Sequence, residues 1–170
     1  MRPLRARRRV LESLAKAKAL LVIQAETRLQ HHALSEAVLN QIEVTWMALI
    51  RQVGDAHGLK PESIQSLIDL TRQLSHRQLV SLEADMLESL VSDPSSWLSA
   101  FWSHRAKVSC PDESTELFDS NQIPMTDTST LDELKNTRYS AWVDELSDLI
   151  GEFQNPVSYT HLTLPTSYPV

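Results

Sequence analysis

The side chains able to do chemistry in this 170-residue chain are few, and their spacing works against most reactions. Five histidines stand outside the C-terminal segment: His31, His32, His57, His76 and His104. None makes the i, i+4 pair of a zinc-binding helix, and HExxH is absent. His31 and His32 would point about 100° apart on a helix, a poor arrangement for sharing one metal. Cys110 is the lone cysteine, so neither a disulfide within the chain nor a cysteine-based zinc site can form. A reactive thiol needs a neighbour that stabilises the thiolate. Lys107 and His104 are near Cys110 only along the chain, so it reads as an ordinary loop thiol. The carboxylate pairs Asp144/Asp148 and Glu145/Asp148 fall one helical turn apart. No Glu-x-x-His accompanies them, so they read as a solvated face and not as a di-iron site. Three scattered glycines leave no phosphate-cradling loop. The expectation is no catalytic residue, no cofactor and no metal, hence a protein that is not an enzyme.

Two groups remain that could bind. Arg5, Arg7, Arg8 and Arg9 open the chain. Residues 1–28 hold eight arginines and lysines against two glutamates, whereas residues 112–155 hold eleven acidic residues against two basic ones. The arginine cluster could contact nucleic-acid phosphates or an anionic surface. The overall charge of −6 and the lack of interleaved aromatics argue against a dedicated nucleic-acid binder. The blander reading is a solvated basic end paired with the acidic last helix. Arginines in a first helical turn also oppose the macrodipole, so either the helix starts nearer Val10 or this N-terminus is not the natural one. The second group is Trp97, Phe101 and Trp102, the densest aromatic cluster. Exposed, it would be a partner-binding surface, including one for a homodimer. Buried, it would be core, as Trp46 and Trp142 are expected to be.

Helices must position these groups. Leu, Ala, Glu, Ser and Gln are plentiful and glycine is scarce. A first helix is expected from about Arg5 to His32, with Leu11, Leu14, Ala17, Leu21, Ala25 and Leu29 as its stripe. A second should run from about Leu34 to His57 with Val38, Ile42, Trp46, Leu49 and Val53 inward, widened by Leu39 and Ile50, and Gly58 as its stop. Because Gln30–Ala33 breaks weakly, these two could instead be continuous. Lys60-Pro61-Glu62 should open a short helix carrying Ile64, Leu67, Ile68 and Thr71. Ser75 could cap another over about 76–91, with Leu79, Leu82, Met86 and Leu90 inward. Asp93-Pro94 should start the aromatic helix. A polar loop is expected over about 109–128. Thr130-Leu131-Asp132-Glu133 then reads as a capping box before a last helix with Leu131, Leu134, Arg138, Trp142, Leu146, Leu149 and Phe153 on one face.

The blocks TRLQHHALSEAVLNQIEVTWMALIRQVGDAHGL, DPSSWLSAFW and LDELKNTRYSAWVDELSDLIGEF resemble, in this order, a proteobacterial family of small all-helical proteins of unknown function, over residues 20–153. That resemblance implies an all-helical fold ending soon after the last helix and supplies no catalytic residue. The arginine-rich start departs from it. Val157–Thr166, VSYTHLTLPT, resembles a translated transposase-type sequencing adaptor, so residues 155–170 read as a non-native tail.

The sequence therefore predicts an all-α, single-domain bundle of five or six helices. It comprises a basic segment 1–10, a helical domain 11–154 and a disordered or artefactual tail. No apolar run of 18 residues is present, and Glu12, Lys16 and Lys18 interrupt any signal-like stretch. A cytoplasmic protein without membrane insertion is expected. Its function is expected to be that of a protein-interaction module using Trp97, Phe101 and Trp102, with the arginine-based anion binder as the alternative.

Overall fold

The computed structural model describes residues 3–110 and 128–154, with side chains from Arg5 to Cys110 and from Thr137 to Gln154. Six α-helices are present among the described residues, and no strand: α1 (Pro3–Leu21), α2 (Arg28–Ala56), α3 (Leu67–His76), α4 (Leu82–Ser92), α5 (Trp97–Ser109) and α6 (Thr128–Gln154), with a 3₁₀ turn at Pro61–Ser63. The expected all-helical bundle is what forms. The loop expected at 109–128 lies mostly outside the described residues, and the tail from 155 lies wholly outside them.

The second helix organises the rest. Val38, Leu39, Ile42, Thr45, Trp46, Leu49, Ile50, Val53 and Gly54 are buried on it. At roughly 100° per residue these positions cover about half the helix circumference, wider than an ordinary surface helix requires. One neighbour cannot cover such a face, and α2 touches α1, α3, α4, α6 and the 3₁₀ turn. It ends in a glycine cap: Gly58 has φ 72°, its N–H reaches Asp55 O at 3.0 Å, and Leu59 N–H reaches Gly54 O at 2.9 Å.

The first two helices form an antiparallel hairpin, but its corner differs from expectation. The break lies at 22–27, and Thr27 caps α2 in a capping box: Thr27 Oγ1 accepts from Gln30 N at 3.2 Å while Gln30 Oε1 accepts from Thr27 N at 3.2 Å. Leu29, placed inward by the sequence stripe, is consequently 79% exposed, and Leu11 is also exposed. Val10, Ser13, Leu14 and Ala17 are the buried members of α1. This helix begins at Pro3, not near Val10, so the four arginines are helical.

Three further boundaries shift. The turn after Pro61 is 3₁₀, and α3 starts separately on Ser66, whose hydroxyl accepts from Asp69 N. Its inward residues are Leu70 and Leu74, while Ile68 is exposed. Gln78 has φ 55° and ends α3, with Leu79 N–H on Leu74 O at 3.0 Å. Ser81, not Ser75, then caps α4. Ala84 and Leu87 face inward there, whereas Leu79, Leu82 and Met86 do not. Ser96, not Asp93, caps α5. Asp93 instead takes Ser95 N at 2.8 Å and Ser95 Oγ at 2.6 Å, and these bonds hold its carboxyl below the usual range. On α6 the face is Tyr139, Trp142, Val143, Leu146 and Ile150, and Arg138 points to solvent.

Two glycines make the packing testable. A Cβ at Gly54 would sit 2.2 Å from Ile64 Cδ1 and 3.3 Å from Leu70 Cδ1, whereas one at Gly151 meets nothing within 4 Å. Both lie in helices, so alanine gains about 1 kcal/mol in propensity at each. At Gly54 overpacking costs about 1–3 kcal/mol. Urea denaturation should therefore show Gly54→Ala destabilised by about 1 kcal/mol and Gly151→Ala stabilised by about 0.5–1 kcal/mol.

Candidate functional site

Three places could carry function, and the first is the aromatic cluster. Ser96 starts α5 so that Leu98 and Phe101 turn inward, both fully buried. The Phe101 ring meets Trp142 edge-on at 5.6 Å and Trp102 at 5.0 Å. Trp97 and Trp102 are half-buried against the core. Of the three residues expected to form a partner surface, Phe101 thus belongs to the α5–α6 packing, and Trp97 and Trp102 are partly taken up by the core.

At the edge of this cluster sits a pair the sequence did not single out. His104 Nε2 and the Tyr139 hydroxyl are 2.8 Å apart, and the Tyr139 ring stacks on Trp142 at 5.6 Å with 26° between planes. Tyr139 is buried, and burial raises its phenol pKa above the usual value, with Arg138 acting weakly against the shift. The spacing Phe101/His104 on α5 and Tyr139/Trp142 on α6 was the available signal. Both pairs are i, i+3 and share a face. A stripe stepped through Arg138 reaches Trp142 equally well, which hid it.

The second place is the arginine face. Arg5, Arg7, Arg8 and Arg9 are all exposed on α1. Arg8 Nε meets Glu12 Oε1 at 2.7 Å. Among the described residues no ion pair joins these arginines to α6, and the contact that does cross is Lys18 Nζ to Ser147 Oγ at 3.0 Å. Asp144, Glu145, Asp148 and Glu152 stay solvated.

The third is the corner between α3 and α4. Leu79 is 38% exposed, Val80 82%, Leu82 69% and Met86 44%. Leu82 and Met86 are one turn apart on α4, and the other two enter it directly. Nothing in the helical periodicity distinguishes Leu79, Leu82 and Met86 from core, yet all three are exposed.

The remaining chemical groups stay dispersed. The His31 and His32 rings stand edge to face at 6.4 Å. Cys110 is exposed at the end of α5. Among the described residues no group of three or more His, Cys, Asp or Glu could hold a metal ion, and no helix is long and apolar enough to cross a membrane. An open groove of about 500 Å³ lies at the α1–α2 corner beside Ile23, Gln30 and Leu34.

These features define an all-helical bundle built around one multiply covered helix. The chain belongs to the family of unknown function DUF6586, which matches residues 2–159 and so takes in the arginine-rich start. No curated protein and no solved structure matches it.

Tyr139 gives a pH prediction. Its pKa is raised in the folded state, so its contribution to stability is complete below the unfolded tyrosine pKa of about 10 and is lost as pH rises through the folded value. Phenolate absorbance titration should show one tyrosine ionising late in the folded protein and absent from Tyr139→Phe. At neutral pH that substitution should cost about 0.5–1.5 kcal/mol in urea denaturation, because it leaves His104 without this partner. A tyrosine titrating at its ordinary value would contradict the burial.

Proposed function

We propose that this protein is a non-enzymatic cytoplasmic module that binds another protein, and that the α3–α4 corner is its binding surface. The observation that carries the reading is the exposure of four large apolar residues close together along the chain, Leu79, Val80, Leu82 and Met86. Single exposed apolar residues are ordinary, but grouped ones mark interaction sites. The corner replaces Trp97, Phe101 and Trp102 as the leading candidate, since Phe101 supports the core.

A photo-reactive amino acid at Leu82, introduced in the living cell, tests this. Discrete adducts heavier than the chain are expected there and not from the same probe at Glu36 on α2. Equal labelling at both positions, or none at Leu82, overturns the reading.

A second reading has its own observation: Arg5, Arg7 and Arg9 lie on an exposed helical segment and, among the described residues, form no ion pair with the acidic last helix. This supports binding of a polyanion, either nucleic acid or an anionic lipid surface. Binding to duplex DNA, RNA or phosphatidylserine vesicles should weaken steeply with salt and vanish when Arg5, Arg7, Arg8 and Arg9 become Ala. The arm that responds identifies the partner. Salt-insensitive binding, or none in any arm, rejects the second reading.

A further inference from the structure

We infer that the outer face of α1 and the α1–α2 corner dock on an anionic lipid surface, with Leu11, Val22, Ile23 and Leu29 entering the headgroup layer and the basic residues lying against its phosphates. The inference rests on the arginine-based reading and names the polyanion as a membrane and not a nucleic acid.

Both halves of such a contact lie on one stretch of chain. Seven exposed arginines and lysines fall between Arg5 and Leu29, against exposed Glu12 and Glu26. Arg8 pairs with Glu12, the sole acidic residue of α1. Val10, Ser13, Leu14 and Ala17 form the inward face of this helix. At about 100° per residue, exposed Leu11, Ala15 and Ala19 make an apolar strip on the opposite side. Arg7 and Lys18 border the strip on one edge, and Arg5, Arg9 and Lys16 on the other. Lys18 stands between it and the acidic α6, with Nζ donating to Ser147 Oγ at 3.0 Å. Just past the helix the strip runs into Val22 and Ile23, which are 79% and 52% exposed, and Leu29 at the start of α2 is exposed beside Arg28.

This combination separates the two polyanions. Nucleic-acid phosphates would engage the arginines and leave Leu11, Val22, Ile23 and Leu29 in water. Stacking on bases needs aromatic rings, and no Phe, Tyr or Trp precedes Trp46. At a lipid interface the same apolar side chains leave water, while arginine and lysine extend past them to the headgroups. A small apolar patch alone holds a protein on a membrane only marginally, and surface charge alone is screened by salt. Here the two signals share one face. The Thr27–Gln30 capping box fixes the corner beforehand, so Val22, Ile23 and Leu29 are displayed without further ordering of the chain.

The full chain should float with phosphatidylcholine vesicles that carry phosphatidylserine at low salt, and not with phosphatidylcholine alone. The neutral double variant Val22→Ser/Leu29→Ser should weaken that binding about 10-fold. Both side chains are exposed, so the variant should keep its helical circular dichroism. In a Cys110→Ser background, an environment-sensitive fluorophore on Val22→Cys should shift its emission to shorter wavelength on the mixed vesicles, and the same label on Glu88→Cys in α4 should not. Equal binding by the serine variant, equal binding to phosphatidylcholine alone, or a Val22 label that stays in water overturns the inference. If vesicle binding is lost when Arg5, Arg7, Arg8 and Arg9 become Ala but ignores the serine pair, or if only duplex DNA or RNA binds, the lipid docking is wrong and the arginine-based reading stands. If neither vesicles nor nucleic acids bind, both fall.

Discussion

The breadth of the apolar face on α2 is the constraint from which the fold follows. A stripe covering about half a helix cannot be hidden by one partner, so a simple helical hairpin would leave Trp46 or Ile50 wet. Helix α1 covers one side through Val10, Leu14 and Ala17, and α6 contributes Tyr139, Trp142, Val143, Leu146 and Ile150 to the same core. The remaining arc at Val53 and Gly54 is closed by Leu59 and Ile64 from the connection around the 3₁₀ turn and by Leu70 from α3. Gly54 allows that closure, since any side chain there would occupy the space of Ile64.

Hydrophobic cover sets which faces meet, but not how they slide. That information sits in a polar contact buried between α1 and α2. Ser13 Oγ and Thr45 Oγ1 are 2.8 Å apart, and Gln41 Nε2 donates to Ser13 Oγ at 2.7 Å and to Ser13 O at 3.2 Å. Thr45 Oγ1 also donates to Gln41 O at 2.7 Å. Shifting α1 by a turn would leave the Ser13 hydroxyl buried without these partners, at about 1–3 kcal/mol, while Thr45 would keep its bond to Gln41 O within α2. The network makes one register preferable where apolar packing alone would tolerate several.

Long stripes were legible in the sequence because burial repeats itself along them. All seven apolar residues read as inward on the second helix are buried, and Gly58 marks its end by adopting the left-handed backbone that glycine takes without strain. Among the helix ends, Gly58 marked its own correctly, whereas Pro61 and Pro94 pointed to starts that lie further along, at Ser66 and Ser96. The Thr27–Gln30 box lay inside an apolar period and was read as helix. Gln78 holds a left-handed φ without glycine's usual signature, so the end of α3 was invisible and the following helix was started too early. Asp93-Pro94 looked like a start, yet Ser96 sits where its hydroxyl reaches Ser99 N at 3.1 Å. On α6, Arg138 and Tyr139 both lead to Trp142 at helical spacing, and only the position of α5 decides between them.

The same ambiguity governs the candidate sites. Aromatic density at 97–102 says that a large apolar area must be covered, not which molecule covers it. Here α6 supplies the cover, because Trp142 and Tyr139 reach Phe101 and His104. The α3–α4 corner is the reverse case: Leu82 and Met86 obey helical spacing as core residues would, but their own helix spends its inward face on Ala84 and Leu87. The sharp turn at Gln78 fixes that choice. By reversing the chain within five residues, from His76 to Leu82, it leaves α4 room to bury one narrow face against α3 and α5. An apolar residue on the other side has no intramolecular neighbour to gain. What periodicity calls core is then surface, and the difference lies in a backbone angle that residue type does not announce.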